Sequence, residues 1–138
     1  MAWLFSGIAD QVLTATLDAT TLRHQVIASN LANANTPHFK RSEVRFEEVL
    51  REALQPPQVL PLATTHPAHI SNAPPSALTV RPEVVPIQDT RARIDGNNVD
   101  PDQEMAKLAR NSLLYSAAVQ MLDRRFSSLK SAITEGRR

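Results

Sequence analysis

The side chains that could support chemistry are few and scattered in this chain. His66 and His69 are three residues apart, but Pro67 disfavours the helical turn that would bring two imidazoles onto one metal ion. No carboxylate lies near them in sequence. His24 falls within an apolar helical pattern, where a packed histidine is the simpler interpretation. The sequence therefore predicts neither a metal ion nor another cofactor.

Nucleophilic and phosphate-binding motifs do not occur in the sequence either. There is no cysteine, so thiol chemistry and disulfides are excluded. No G-x-S-x-G motif and no glycine-rich phosphate loop is present, and three glycines in total are too few for close backbone contact with a nucleotide. We therefore expect no catalytic residues, and a protein that is not an enzyme.

The composition of the chain excludes further classes of protein. Its 15 basic and 14 acidic residues give a formal charge of +1, without the basic excess that nucleic-acid binding requires. Aromatic residues make up 4% of the chain, which disfavours a large β-rich core. No apolar stretch approaches the ~18 residues of a membrane span. The first basic residue is Arg23, so the N-terminus lacks the charged start of a cleaved secretory signal.

Without catalytic residues, the elements themselves carry the function, and the strongest is a helix over 101–135. Asp100 is suited to cap it, Pro101 to its first position and Gln103 to a capping box, and Gly136 supplies a stop. One row of its residues recurs at alternating intervals of three and four positions over about four heptads, which is the pattern of a coiled-coil seam. The seam residues are Met105, Leu108, Ser112, Tyr115, Val119, Leu122, Phe126, Leu129 and Ile133. Such a seam requires partner helices.

A second long helix is predicted over 8–34. Its apolar side chains form two adjacent rows, one of Ile8, Val12, Ala15, Ala19, Leu22 and Val26, the other of Leu13, Leu17, Ile27 and Leu31. The two rows together form a wide apolar stripe, which allows two interpretations. It either packs within the chain, with the last helix as its natural partner, or it also contacts other molecules.

The middle of the chain is poorly suited to a core. A shorter amphipathic helix is predicted over 42–54, with Ser42 as its cap. Eight of the ten prolines then fall between positions 56 and 86, which excludes helices and central strands. We expect a Pro-rich loop, or alternatively a surface arm that touches neighbouring subunits, followed by one or two short edge strands within 78–94.

The first helix ends in an unusual motif. Three asparagines within six residues precede Thr36 and Pro37, which predicts a side-chain-stabilised turn near 33–35 with Phe39 folded back as an anchor. These residues resemble the N-terminal motif of flagellar rod and hook proteins. The matching residues are Ser29, Asn30, Ala32, Asn33, Thr36, Pro37, Phe39 and Lys40. That family usually has Gly-Tyr where this chain has His38-Phe39, and histidine costs more than glycine in a left-handed backbone.

A second match lies before the last helix. Asp95, Gly96 and Asn97, leading through 98–115, resemble the proximal-rod members of the same family. The resemblance implies a structural subunit of the proximal rod of the bacterial flagellar basal body. It further implies export through the flagellar type III apparatus without signal cleavage, and assembly in the periplasm. The implied partners are copies of itself, other rod subunits, and a FliE-type adaptor at the MS ring and export gate.

The expected fold is mainly α, with long terminal helices packed as an antiparallel coiled-coil pair. Residues 1–54 and 95–138 are expected to co-fold into one core domain, joined by a Pro-rich segment over 55–94. The expected interface consists of the seam above together with Leu22, Val26, Ile27 and Leu31. Open-ended helical assembly through these helices is the leading hypothesis. A soluble helical-bundle adaptor or chaperone, closed as a dimer or tetramer, remains the alternative.

Overall fold

The computed structural model describes residues 7–54, 80–88 and 94–135, and within them the chain is mainly helical. The elements in chain order are α1 (Ile8–Ala32), β1 (Ser42–Arg45), α2 (Glu47–Leu54), β2 (Glu83–Pro86) and α3 (Pro101–Glu135). The predicted fold class, two long terminal helices with short strands between them, is confirmed. His66, His69, Gly136 and most of the Pro-rich segment lie outside the described residues.

The two long helices pack against each other and run antiparallel. Contacts occur at three levels, and residue numbers fall along α1 as they rise along α3. The pairs are Asn30 with Glu104, Thr20 with Asn111, and Asp10 with Arg125. At about 1.5 Å per residue, α1 is ~37 Å long and α3 ~52 Å long, so α3 extends beyond the start of α1.

A small β unit also packs on α1. β1 and β2 form an antiparallel two-stranded sheet in which Val44 is opposite Val84. The buried core consists of Ala19 from α1 together with Val44, Phe46 and Val80. Half-buried side chains surround it: Ala15, Leu22, Val26, Val49, Leu50 and Ala53. One apolar row of α1 therefore packs on the β unit and α2, which gives the wide stripe two partners inside the chain.

The predicted helix over 42–54 is wrong at its start. Residues Ser42–Arg45 form β1, and α2 begins at Glu47. The side chain of Asn30 bonds both the backbone N–H and the carbonyl of Ser42, so this residue is held extended instead of capping a helix. Val44 then pairs with β2 and points into the core, and this tertiary pairing overrides the local helical pattern.

The predicted start of α3 at Asp100 and Pro101 and the predicted end of α1 are confirmed. The Asp100 carboxylate accepts hydrogen bonds from the backbone N–H of Asp102 at 3.0 Å and of Gln103 at 3.4 Å, which is an N-cap. Pro101 is the first residue of α3. At the other junction α1 ends at Ala32 with Asn33 as its C-cap, within the range that the asparagine cluster predicts.

Candidate functional site

The two sequence motifs, separated by more than fifty residues in the chain, fold into one polar structure that we call the motif junction (residues 29–40 and 95–104). Its centre is Asn97, which is fully buried. The Asn97 amide donates hydrogen bonds to the carbonyl oxygens of Asn33 at 2.9 Å, Ala34 at 3.1 Å and Thr36 at 2.9 Å. Carbonyl groups at a helix end have no partners within the helix. Asn97 therefore completes the exit of α1 with a side chain from the α3 side of the chain.

The loop that carries Asn97 is fixed from both sides. The Asn97 side-chain oxygen accepts from the backbone N–H of Val99 at 2.8 Å, and Asp95 accepts from the N–H of Asn97 at 3.1 Å. The N–H of His38 donates to the carbonyl of Asp95 at 3.0 Å, and the ammonium of Lys40 donates to the carbonyl of Gly96 at 2.8 Å. The first motif thus binds the second mainly through main-chain groups.

Two left-handed residues face each other across this junction. His38 has φ +62° and Gly96 has φ +77°. A Cβ atom added at Gly96 would lie 2.8 Å from Nδ1 of His38, so a larger residue would have to displace this imidazole and also adopt the unfavourable φ. A left-handed non-glycine residue costs roughly 1–2 kcal/mol. The junction therefore requires a left-handed backbone at position 38, where histidine is more costly than the glycine that is usual in the family.

Asn30 joins three elements at the other edge of the junction. Its amide donates to the carbonyl of Ser42 at 2.8 Å and to Oε2 of Glu104 at 2.9 Å, and its oxygen accepts from the N–H of Ser42 at 3.0 Å. The side chain is 1% exposed. One asparagine therefore holds the start of β1 and the first turn of α3 against α1.

The electrostatics of this edge depend on a buried carboxylate. Glu104 is 1% exposed, and its Oε1 accepts from the Lys107 ammonium at 2.8 Å. Lys107 also donates to Glu43 at 2.7 Å, and Arg41 pairs with the same Glu43 oxygen. Partial burial alone would raise the pKa of Glu43, but the hydrogen bonds and charges of Lys107 and Arg41 outweigh it and hold the pKa below its ordinary value.

Not every predicted motif residue takes part in these bonds. Ser29, Ala32 and Pro37 are exposed, and Phe39 is half-buried. Of these, Ser29 contributes its carbonyl, which accepts from the Asn33 side chain at 2.9 Å. The motif is therefore divided into a face that builds the junction and a face that is open to solvent.

The second predicted site is the seam between the long helices, and its geometry differs from the expected one. The buried residues of α3 are Glu104, Asn111 and Ala118, and Arg125 continues the same seven-residue spacing. Each lies one position before a predicted seam residue: Met105, Ser112, Val119 and Phe126. The helix is thus rotated so that the intramolecular contact follows a row beside the apolar seam that is polar except at Ala118.

The predicted seam residues separate into two groups. Leu108, Leu122 and Leu129 are half-buried. The other five apolar residues are between 40% and 67% exposed, and we call them the exposed stripe: Met105, Tyr115, Val119, Phe126 and Ile133. The polar seam position, Ser112, is exposed as well. On α1, Ile27 is buried beside α3, Leu31 is half-buried, and Leu22 and Val26 pack on the β unit.

Sequence reasoning missed the polar contacts that connect α1, α3, β1 and the loop before α3, because it searched the helices for apolar spacing. The missed residues are Asp10, Thr20, Glu43, Asn98, Glu104, Lys107, Asn111 and Arg125. A signal was present in the spacing of Glu104, Asn111 and Arg125 by seven and then fourteen residues, with Lys107 one turn after the first of them. Polar residues at such spacing are known to set the register of paired helices.

The described residues contain no group of three or more His, Cys, Asp or Glu side chains placed to hold a metal ion. His24 and His38 are both exposed and lie on different elements. Within the same described part of the chain, no helix is long and apolar enough to cross a membrane. The side chains of the motif junction join distant segments of the chain, and the exposed stripe presents an apolar surface.

The signature of the family described as "Flagella basal body rod protein" matches residues 11–40, which hold most of α1 and the first half of the motif junction. The class defined by the fold and the junction is therefore that of structural rod proteins of the flagellar basal body, and the expectation that the chain is not an enzyme is confirmed by this family.

Relatives that match most of the chain identify the particular family of rod proteins. The flagellar basal body rod protein FlgB of Bacillus subtilis is 34% identical over 134 residues, which cover 97% of this chain and 98% of the relative. FlgB of Aeromonas hydrophila is 36% identical over 119 residues, 85% of this chain and 86% of the relative. FlgB of Escherichia coli K12 is 30% identical over 127 residues, 87% and 88% respectively. The chain belongs to the FlgB family of flagellar basal body rod proteins. It is a structural subunit that assembles with other components of the rod.

The pair His38 and Gly96 provides a test of the junction's geometry. We expect His38→Gly to raise the free energy of unfolding by about 1 kcal/mol, because the left-handed strain is relieved. Gly96→Ala should lower it by more than that, because the new Cβ meets both the unfavourable φ and the imidazole. In the His38→Gly background the same Gly96→Ala change should cost less. Urea titrations of the four proteins measure this coupling, and strictly additive effects would contradict the contact.

Asn97 provides a second test. Asn97→Ala should lower the free energy of unfolding by about 1–3 kcal/mol, because the bonds from its buried amide to three carbonyl groups are lost. Asn97→Asp should cost more, since a carboxylate would then face the same carbonyl oxygens. Asn35→Ala is the matched control, an exposed asparagine of the same motif, and should be close to neutral. Urea denaturation distinguishes these variants, and equal effects at both positions would refute the role given to Asn97.

Proposed function

We propose that the exposed stripe of α3 is the surface through which this subunit packs against neighbouring subunits in the proximal part of the rod. The support is a single observation. Five apolar side chains that a coiled-coil seam would bury remain 40% or more exposed in the single chain. They extend over 28 residues of α3, or about 42 Å. Contiguous exposed apolar surface of this kind marks protein interfaces.

The size of the stripe favours assembly over a simple dimer. Completing the burial of five half-exposed apolar side chains contributes about 5 kcal/mol, taking half of the usual value for each. Association of two proteins costs an estimated ~4–15 kcal/mol in lost freedom. One stripe contact is therefore weak by itself, and a subunit becomes stable only when several neighbours are in place. This behaviour suits an open-ended helical assembly, in which each added subunit contacts more than one other.

The remaining parts of the proposal rest on the family. We infer that the subunit lies in the periplasmic rod, that it is exported there without signal cleavage through the flagellar type III apparatus, and that its partners include a FliE-type adaptor at the MS ring and export gate. We also propose that residues 1–54 and 95–138 act as one core domain. The motif junction supports this division, because it ties the exit of α1 to the entry of α3. Residues 80–88 of the middle segment belong with that core, since Val80 and β2 pack on it.

A charged substitution in the exposed stripe tests whether this surface is an interface with neighbouring subunits. Val119 is 40% exposed, so Val119→Asp should leave the helicity and stability of the isolated chain almost unchanged. In cells that carry only this variant, we expect the subunit to be missing from purified basal bodies and motility to be lost, because a carboxylate would be buried at the subunit contact. Val119→Ile, which keeps an apolar side chain of similar shape, should assemble normally.

Incorporation of the Val119→Asp subunit at the wild-type level would refute the stripe as an interface. Sedimentation of the isolated wild-type chain tests the mode of assembly. A monomer that grows into open-ended polymers as concentration rises supports the proposal, and one discrete closed oligomer contradicts it.

A further inference from the structure

A second group of exposed apolar side chains lies on α3, on a different face from the exposed stripe. Leu113 is 73% exposed, Leu114 45% and Met121 58%, and Ala117 between them is exposed as well. Residues three and four positions apart are neighbours on a helix, so Leu114, Ala117 and Met121 form one row with Leu113 at its edge. We call these four residues the second row. None of them belongs to the predicted seam.

The second row points almost directly away from the exposed stripe. At 3.6 residues per turn each residue is rotated by about 100° from the one before it, so Met121 is about 160° from Val119 around the helix axis. The buried Ala118 lies between them, about 100° from Val119 and about 60° from Met121. α3 therefore presents two apolar faces to solvent, one on each side of its buried row.

A groove of about 270 Å³ gives the second row a concave part. α1, β1 and α3 bound it, and its lining includes apolar Ile27 and Leu114 together with the ion pair of Arg23 and Glu47. A groove that is partly apolar and partly charged suits tyrosine, which has an apolar ring and a hydroxyl group that needs a polar partner. Tyr115 of the exposed stripe is the only tyrosine in the chain, and it is 45% exposed.

Charges of opposite sign flank the two faces. Asp123 is four residues after Val119 and lies beside the exposed stripe, whereas Arg124 is three residues after Met121 and lies beside the second row. Both charged side chains are exposed, and neither has an ion-pair partner among the residues that the structure describes. Each face therefore carries the charge that the other one lacks a partner for.

We propose that the exposed stripe of one copy packs on the second row of the next copy, with the two α3 helices parallel and nearly in register. This inference rests on the proposed function and names the surface that receives the stripe. Three pairs then meet at matching levels: Tyr115 with Leu114 and its groove, Val119 with Met121, and Asp123 with Arg124. Since the two faces differ and point in nearly opposite directions, the contact repeats from copy to copy without closing a dimer.

The positions of the charges around the helix select the parallel arrangement. Asp123 is rotated from Val119 by about 40° in one sense, and Arg124 is rotated from Met121 by about 60° in the opposite sense. On two parallel helices that face each other, opposite senses lead to the same edge of the contact, so the two charges meet. An antiparallel pair would place them at opposite edges.

Disulfide cross-linking tests which faces meet, because the chain has no cysteine of its own. Val119→Cys places a thiol on the exposed stripe and Met121→Cys places one on the second row. At concentrations where the full-length chain polymerises, oxidation of an equal mixture should give a dimer with one chain of each kind, identified by isotope labelling of one variant. Each variant alone should give only background. The control is Val119→Cys mixed with Glu52→Cys, an exposed position on α2, which should also give background.

The outcomes separate this proposal from the proposed function. Linkage of Val119→Cys chains to one another would overturn the proposal, since stripe would then meet stripe, but the stripe would remain an interface. Failure of Val119→Cys to link to any copy, with or without Met121→Cys, would contradict both. Linkage of Val119→Cys to Glu52→Cys as strong as to Met121→Cys would also overturn the choice of the second row.

A charge exchange keeps the proposal testable if the cysteine variants fail to polymerise. Asp123→Arg and Arg124→Asp should each raise the concentration needed for polymers by roughly fivefold, the effect of losing one exposed ion pair. The double variant restores opposite charges across the contact and should polymerise as the wild-type chain does. Sedimentation measures all four proteins, and a double variant no better than the single ones would overturn the parallel register.

Discussion

The register of α1 against α3 is the constraint on which the rest of the structure depends, and polar contacts set it. They occur at the top, the middle and the bottom of the helix pair, as Asn30 with Glu104, Thr20 with Asn111, and Asp10 with Arg125. The outer two pairs are twenty residues apart on α1 and twenty-one on α3, or ~30 and ~32 Å, so the helices match in length between them. An apolar seam tolerates sliding, whereas buried polar partners must meet.

The polar contacts between α1 and α3 also have an energetic cost. The side-chain oxygen of Asn111 is buried without a hydrogen-bond partner among the described residues, while its amide bonds the carbonyl of Thr20. An unsatisfied buried acceptor costs about 1–3 kcal/mol. Polar residues that fix register in paired helices generally lower stability. The polar row thus occupies the intramolecular contact, and the apolar stripe beside it remains exposed.

The motif junction extends the same principle to the ends of the helices. Asn97 and Asn30 each connect segments that are distant in sequence, and almost all of their bonds go to main-chain groups. Main-chain partners do not depend on the partner's side chain. The exit of α1 and the entry of α3 are therefore fixed by two asparagines and by the left-handed pair His38 and Gly96.

Sequence patterns were sufficient for the elements that follow local rules. Periodicity predicts α1 and α3, and Asp100 and Pro101 mark the start of α3, because capping depends on a few adjacent residues. The strand β1 was missed because its conformation depends on Asn30 and on β2, both distant in sequence. The motif residues were found through resemblance, but their joint structure required the fold. The rotation of α3 was missed because apolar spacing does not reveal which face carries polar partners.

Distances between spin labels on α1 and α3 test the central claim most directly, and the chain has no cysteine of its own to interfere. With one label at Thr21, a second label is placed at Met105, Ser112 or Val119, which are one heptad apart. Thr21 and Ser112 lie at the same level of the helix pair, so this pair should give the shortest and a narrow distance. Replacing Glu104 and Asn111 by leucine should broaden or shift all three distributions. Narrow distances that are unchanged in the leucine variant would contradict the account, because apolar packing alone would then set the register.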